Sequence, residues 1–334
     1  MTTARLVPVT TEMDGDELDA EDAFHLLHRV GVRRLLVDAF VRFRYGDGFS
    51  SSRALALQAT LAVVPFLLAL TGLAADLDAE RPSRVIAATV DAVSPGAAGD
   101  DALVDALTQA DDADGGEDRQ ELAGEIALGG GLAFALFSMT VAMAQVERGT
   151  NRIYGIRRDR PAPAKYGRSA LLTACLAGPV GIGFLLLVTG PTFVEAMATE
   201  YGWSEAAQTT WSVGRWPVGI LLLVVTIAVL LERAPRRRQP ALSWVAFGSA
   251  VTVVLVLVAS GGLAAYVGAT GSFSTVYGPL TGVIALLLWA LMSAGALFYG
   301  AAVCAQMEAY RAGEPEPAYD DPGRPHGTVV ADSD

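Results

Sequence analysis

Long stretches of the sequence contain no ionised side chain. No Asp, Glu, Lys or Arg occurs in residues 54–75, 126–146, 169–194 and 239–307, which are 22, 21, 26 and 69 residues long. An α-helix of about 20 apolar residues crosses the hydrocarbon core of a bilayer. The pattern therefore predicts an all-α integral membrane protein that crosses the membrane several times.

The uncharged stretches divide into six predicted transmembrane helices. The 69-residue stretch has room for two crossings, with a turn at 268–277 between them. Arg215 interrupts the start of the fourth helix, but its long side chain can reach the interface beside Trp211 and Trp216. The predicted helices span about 54–75, 124–146, 169–191, 211–231, 242–267 and 278–305, within a transmembrane domain of residues 54–307.

The distribution of basic residues predicts the orientation of the bundle. The segments before the first helix, between the second and third, between the fourth and fifth, and after the sixth hold 7, 7, 4 and 2 basic residues. The other side holds Arg81, Arg84, Arg119 and Arg215. Because basic residues are retained on the cytoplasmic side, both termini are expected in the cytoplasm. Lys165 is the only lysine among the 24 basic residues and the chain is rich in Ala and Gly, a composition that indicates a bacterial source, so the expected location is a bacterial cytoplasmic membrane.

Three regions outside the predicted helices have distinct compositions. Residues 76–121 carry thirteen acidic residues and three arginines, and form an outer loop in which apolar spacing predicts surface helices at 83–93 and 101–110. Residues 21–53 read as a basic amphipathic helix on the inner membrane face, with the pattern clearest over 22–44 and Arg42 among its arginines. The tails 1–20 and 308–334 lack periodicity and are predicted to be disordered.

Whole-chain composition agrees with a membrane protein. Hydrophobic residues make up 52% of the 334 residues and charged residues 18%, with a mean hydropathy of +0.40. Most of the net charge of −12 comes from the loop 76–121. The two cysteines, Cys175 and Cys304, both lie in apolar stretches, so no disulfide framework is expected.

Several motifs together resemble one bacterial family. Asn151-Arg-Ile-Tyr-Gly155 and Tyr277-Gly278, which is followed eleven residues later by Trp289, are the distinctive ones. The matching stretches are 54–65, 151–155, 160–161, 235–238 and 274–289 with Gly300. They resemble the YihY/BrkB family of inner-membrane proteins, formerly mislabelled ribonuclease BN. The resemblance implies a connection with virulence, envelope lipid export or small-anion export.

The end of the second predicted helix carries the densest group of polar residues. At 100° per residue, one face presents Gln145, Arg148 and Arg152, and the opposite face presents Glu147, Asn151 and Tyr154. One interpretation is topological anchoring with a hydrogen bond between helices. The alternative is a cytoplasmic vestibule that attracts an anionic headgroup or solute.

Two further places carry polar groups at membrane depth. Gln58 and Thr60 lie in the middle of the first helix, and Pro65 frees a backbone carbonyl one turn before it. They predict either a kink that serves helix packing, or a gate or substrate contact. The turn containing Tyr277 is either a tight connection or a segment that dips into the membrane.

Signatures of enzymes and of cofactor sites are weak in the sequence. His25 and His28 lie near Glu21 and Asp22, but no further residue completes a metal site. P-loop, Rossmann and Ser-His-Asp patterns are lacking. We therefore expect a protein that is not an enzyme and has no cofactor, metal or nucleic-acid partner.

Two functions from different classes remain. The first is a transporter or flippase-like protein that handles an amphiphilic or anionic substrate, with membrane lipids as partners. The arginines of the inner rim, the proline-containing helices and the expected shortage of buried carboxylates favour it. The second is a membrane scaffold for envelope assembly that transports nothing. A transporter needs a polar cavity between its helices in some state, whereas a scaffold does not.

Overall fold

The computed structural model describes residues 5–13, 20–76, 117–188, 191–269 and 281–320. The predicted surface helices at 83–93 and 101–110 and most of the turn after residue 268 lie outside these residues. The described chain is helical apart from two short strands. The helices are α1 (Ala20–Val30), α2 (Val32–Tyr45), α3 (Gly48–Asp76), α4 (Glu117–Ile153), α5 (Ala162–Val188), α6 (Pro191–Tyr201), α7 (Glu205–Arg233), α8 (Leu242–Ala269) and α9 (Thr281–Arg311).

Each of the six predicted crossings coincides with a long helix, namely α3, α4, α5, α7, α8 and α9. By length and composition, four described helices qualify as membrane-spanning: 129–153, 205–233, 242–269 and 281–311. The all-helical membrane fold is thereby confirmed, while the number of six crossings stays a prediction. Several helices extend beyond the predicted limits, because their polar ends continue the helix past the apolar stretch.

The single amphipathic helix predicted over 22–44 is wrong. Gly31 has a φ of 84°, a left-handed backbone conformation that interrupts the helix and separates α1 from α2. Both helices bury one side, including Leu26, Leu35 and Phe43, against the rest of the protein. The exposed side of α2 also carries apolar residues, among them Phe40. The apolar residues of the pattern therefore fall into two groups, one packed against the protein and one forming an exposed apolar strip.

The chain ends are more ordered than their composition predicts. Residues Arg5–Leu6 form strand β1, which pairs antiparallel with β2 at Tyr319–Asp320. Arg5 also contacts Asp320, with Nε 3.2 Å from Oδ1. We call residues 5–13 the strap. The prediction of disorder is wrong for the strap and for residues 308–320, because 308–311 continue α9 and backbone pairing does not depend on hydrophobic periodicity.

Burial is uneven along the bundle. At the end that carries both chain termini, which we call the termini end, residues 300–309 of α9 are all buried. At the opposite end, seven of the nine residues 261–269 of α8 are exposed. Among the described residues, the core therefore lies mainly at the termini end.

Helices α8 and α9 approach closely because two glycines face each other. A Cβ on Gly300 would lie 2.0 Å from Oγ1 of Thr252 and 2.5 Å from the carbonyl oxygen of Gly248. The hydroxyl of Thr252 also donates to the carbonyl of Ala296, 3.3 Å away on α9. Small residues permit such close backbone contact between membrane helices.

Replacing Gly300 with alanine is therefore expected to separate α8 from α9. Overpacking of a dense core costs roughly 1–3 kcal/mol, so the thermal unfolding temperature in detergent should fall. Gly261→Ala on α8 is the control, since nothing lies within 4 Å of the Cβ position at Gly261. Equal unfolding temperatures for the two variants would contradict the close packing.

Candidate functional site

A buried ion pair lies at the centre of the termini end. Nη2 of Arg237 is 2.7 Å from Oε2 of Glu308, and their side chains are 2% and 0% exposed. Tyr154 donates its hydroxyl hydrogen to Oε1 of Glu308 at 3.3 Å. The guanidinium carbon of Arg237 lies 4.7 Å from the centroid of the Tyr154 ring. The carboxylate, the phenol and the guanidinium thus form one packed unit.

Arg42 on α2 is buried beside this unit and makes four hydrogen bonds. Its Nε donates to the carbonyl of Ile153 at 3.0 Å, and Nη1 donates to Oε1 of Gln306 at 3.2 Å. Its Nη2 donates to the carbonyl of Pro8 at 3.0 Å and to Oγ1 of Thr10 at 2.6 Å. Burial lowers the pKa of Arg42 to about 10, because desolvation disfavours the charged form.

We call five side chains at this end of the bundle the termini-end core: Arg42, Tyr154, Arg237, Gln306 and Glu308. The strap seals this core from one side. The backbone N–H of Thr10 donates to the carbonyl of Tyr154 at 3.1 Å, and Arg237 donates to the carbonyl of Thr11 at 3.2 Å. From the other chain end, the carbonyl of Pro315 accepts a hydrogen bond from Gln306 at 2.7 Å.

A second polar cluster surrounds Asn151 at the end of α4. Nδ2 of Asn151 donates to Oδ1 of Asp159 at 3.1 Å, and its Oδ1 accepts from the backbone N–H of Arg236 at 2.8 Å. Lys165 and Arg148 lie 3.2 Å and 3.4 Å from Oδ2 of Asp159. Partial burial alone raises the pKa of Asp159, but hydrogen bonds from Asn151 and Lys165 and nearby positive charge lower it below its usual value.

Arginines of the α4–α5 region bind the end of α7. Arg160 donates to the carbonyls of Ala234 and Pro235 at 3.2 Å and 3.1 Å, and its Nη1 lies 3.0 Å from Oε1 of the buried Glu147. Arg168 donates to the carbonyl of Arg233 at 2.8 Å. The last carbonyls of a helix have no partner inside the helix and carry partial negative charge. Positively charged arginine side chains are therefore favourable hydrogen-bond donors to them.

The structure confirms the two faces predicted for the end of α4. Glu147, Asn151 and Tyr154 are 2%, 0% and 1% exposed, whereas Arg148 is exposed. On that second face, Gln145 and Arg152 are half-buried, and Arg152 donates to the nearby carbonyl of Arg157 at 2.8 Å. The buried face joins both polar clusters.

The candidates on α3 do not join the termini-end core in the described structure. Gln58 and Thr60 are half-buried, and the hydroxyl of Thr60 donates to the carbonyl of Ala56 in its own helix at 2.9 Å. Pro65 lies within α3, but its surroundings are outside the described side chains. Tyr277 also lies outside the described residues.

The expected shortage of buried carboxylates is wrong. Glu147 and Glu308 are both buried and both paired with arginines. Reasoning from the sequence overlooked Arg42, Arg237, Gln306 and Glu308 as site residues. A usable signal was present for Glu308, because it is the first charge after the 69-residue uncharged stretch and lies on the last helix.

In the described part of the chain, no three His, Cys, Asp or Glu residues are grouped as metal ligands. His25 lies 3.8 Å from Glu21 on the same helix, with both side chains largely exposed. The side chains at the termini end provide charge pairing and hydrogen bonding by Arg, Glu, Tyr and Asn.

Comparison with protein families agrees with this arrangement of helices and motifs. Residues 39–323 match the family described as virulence factor BrkB. The chain belongs to the BrkB family. The match extends from α2 through α9 and includes the core residues Arg42, Tyr154, Arg237, Gln306 and Glu308. This BrkB-family chain is therefore a multi-pass membrane protein.

Curated relatives carry names of two kinds. A ribonuclease-like protein YfkH of Bacillus subtilis is 25% identical over 260 residues, covering 77% of this chain and 89% of the relative. UPF0761 membrane proteins of Azoarcus and Chromobacterium violaceum are 24% and 29% identical over 180 and 174 residues. Those alignments cover 54% and 51% of this chain, and 42% and 40% of the relatives. No solved structure matches the chain.

Replacing Glu308 with glutamine should strongly destabilise this BrkB-family protein. The change leaves the buried Arg237 without its counter-charge, and breaking a buried pair in this way costs roughly 3–5 kcal/mol. Glu232→Gln is the control, because Glu232 pairs with an arginine whose side chain is 60% exposed, and exposed pairs contribute about 0–1 kcal/mol. Thermal unfolding in detergent measures both changes, and a smaller loss for Glu308→Gln would contradict the role of the pair.

The lowered pKa of Asp159 predicts a loss of stability in acid. Its ion pairs stabilise the folded protein above the ordinary carboxylate pKa of 3.8, and this stabilisation disappears as the pH falls through the lower folded-state pKa. Asp159→Asn should therefore unfold at a lower temperature than the original protein at pH 7. The difference should shrink as the pH falls below 3.8. A difference in unfolding temperature that does not change with pH would show that Asp159→Asn acts through packing and not through the lost charge.

Proposed function

We propose that this BrkB-family protein is a non-enzymatic transporter or flippase-like protein that moves an anionic or amphiphilic substrate across the bacterial cytoplasmic membrane. Six crossings would place both termini in the cytoplasm, in line with the positions of the basic residues. The termini-end core then closes the cytoplasmic end of the bundle. Its Arg, Tyr and Glu side chains would become available to a substrate only when that end opens.

The observation that carries the proposal is the sealed charged core at one end of the bundle. Arg42, Arg237 and Glu308 are withdrawn from water and held by contacts between segments distant in sequence. Transporters alternate between states that are closed at one end. A closed cytoplasmic end would correspond to one such state.

The surface of α2 supports a substrate that comes from the lipid. Val32, Val37 and Phe40 are 52%, 55% and 47% exposed, and Arg33 and Arg44 beside them are also exposed. An apolar strip bordered by arginines suits the interface of an anionic bilayer. At such an interface, anionic headgroups would lie close to the termini-end core.

A disulfide across the β1–β2 pair tests the proposal. Leu6 and Tyr319 are direct partners, so Leu6→Cys and Tyr319→Cys, with Cys175→Ala to remove the exposed native thiol, should form a reversible bond between the chain ends. The strap would then be fixed over the core. Oxidation should slow transport to the level of protein-free liposomes, and a reductant should restore it.

The measurement uses liposomes that contain fluorescent phosphatidylglycerol or an entrapped halide-sensitive dye. The original protein should speed the transbilayer movement of the lipid or the entry of the anion. Transport by the control variant, which carries only Leu6→Cys and Cys175→Ala, should not change on oxidation. Unchanged distributions of both lipid and anion with the original protein would sink the proposal and favour a scaffold.

The scaffold stays as a second candidate because of the packing of α8 against α9. The opposed Gly248 and Gly300 leave no space between these helices at their crossing. A scaffold needs rigid helix contacts and no path between them. It predicts that the oxidised and reduced forms of the cysteine variant behave alike in liposomes.

A further inference from the structure

A lateral groove lies at the opposite end of the bundle, away from the termini-end core. Its volume is about 510 Å³, and α5, α7 and the α6–α7 turn line it through Leu186, Trp203, Trp211, Arg215 and Val218. Its lining residues lie near the end of the third predicted membrane helix (169–191) and the start of the fourth (211–231). Nothing in the proposed transport mechanism uses it.

Three buried N–H donors in this groove have no acceptor among the residues that the structure describes. Nε and Nη1 of Arg215 and Nε1 of Trp211 are buried, and no described residue accepts a hydrogen bond from them. The guanidinium carbon of Arg215 lies 5.3 Å from the centroid of the Trp216 ring. Buried donors normally have partners, so an arrangement of donors alone indicates a missing acceptor, most simply an anion.

Aromatic rings form one wall of the groove. The ring centroids of Phe193 and Trp211 are 5.4 Å apart, and those of Trp203 and Trp211 are 5.7 Å apart. Trp residues concentrate at the level of lipid headgroups, where one end of the ring is apolar and the other meets polar groups. This composition suits a site at the depth of a lipid phosphate.

An apolar stripe leads from the groove along the outside of α7. Gly214, Val218, Leu221 and Val225 follow one another at spacings of four, three and four residues, so they share a face of the helix. Val218, Leu221 and Val225 are 57%, 64% and 44% exposed. A free phosphate would leave this stripe uncovered, whereas an acyl chain would cover it.

We infer that this groove binds one anionic phospholipid, with the phosphodiester accepting hydrogen bonds from Arg215 and Trp211 and an acyl chain lying along Val218, Leu221 and Val225. Arginine suits this ligand because its guanidinium forms charge-assisted hydrogen bonds with phosphate oxygens. The inference requires only a membrane protein, and it stands whether or not the protein transports.

Quenching of tryptophan fluorescence by brominated lipids tests the site without any transport. The full-length protein is reconstituted in phosphatidylcholine, and dibrominated phosphatidylglycerol or dibrominated phosphatidylcholine is added. Trp203 and Trp211 line the groove and Trp216 contacts Arg215, while Trp244 is fully buried and therefore shielded from lipid. Phosphatidylglycerol should be the stronger quencher.

Arg215→Gln should reduce the preference for phosphatidylglycerol over phosphatidylcholine roughly tenfold, the scale of a lost charge-assisted interaction. Arg215→Lys keeps the charge and should retain part of the preference. Arg233→Gln, on the same helix at the termini end, is the control and should keep the full preference. An unchanged preference in Arg215→Gln overturns the inference.

Two further arms separate the lipid from other anions. Inorganic phosphate or glycerol phosphate that competes with phosphatidylglycerol at equal concentration would assign the groove to a soluble anion and overturn the inference. A lower unfolding temperature of Arg215→Gln in pure phosphatidylcholine, with the lipid preference intact, would assign Arg215 to a carboxylate of this chain and also overturn it. An unchanged unfolding temperature together with a lost preference supports the lipid site.

Discussion

The ion pair between Arg237 and Glu308 is the interaction on which the termini end depends. Each side chain is almost completely withdrawn from water, so each requires the other to balance its charge. This requirement holds the α7–α8 loop against the last turn of α9. Tyr154 then has to lie beside the pair, and the end of α4 is drawn into the same unit. The strap completes the enclosure through its backbone carbonyls.

The helices could be predicted from the sequence because the bilayer imposes a simple rule on it. A stretch of some twenty residues without charge has few alternatives to a helix in hydrocarbon. The two faces at the end of α4 followed from helical geometry alone, and the burial of Asn151 and Tyr154 agrees with them. The spacing of polar and apolar residues predicts which face of a helix is buried wherever that helix packs against its neighbours along its whole length.

The contacts between distant segments could not be read in this way. The amphipathic pattern places Arg42 among surface arginines, yet its partners lie at Thr10, Ile153 and Gln306. Backbone carbonyls supply two of its four hydrogen bonds, and any residue type provides a carbonyl. The pairing of β1 with β2 is equally independent of side-chain pattern, so an acidic, proline-containing tail gave no sign of it.

The β1–β2 ribbon has a consequence for the shape of the polypeptide as a whole. It joins residues more than three hundred positions apart, so the described backbone comes close to a closed ring. Joining the two ends with a linker and opening the chain at another loop would then give a rearranged polypeptide with the same neighbours.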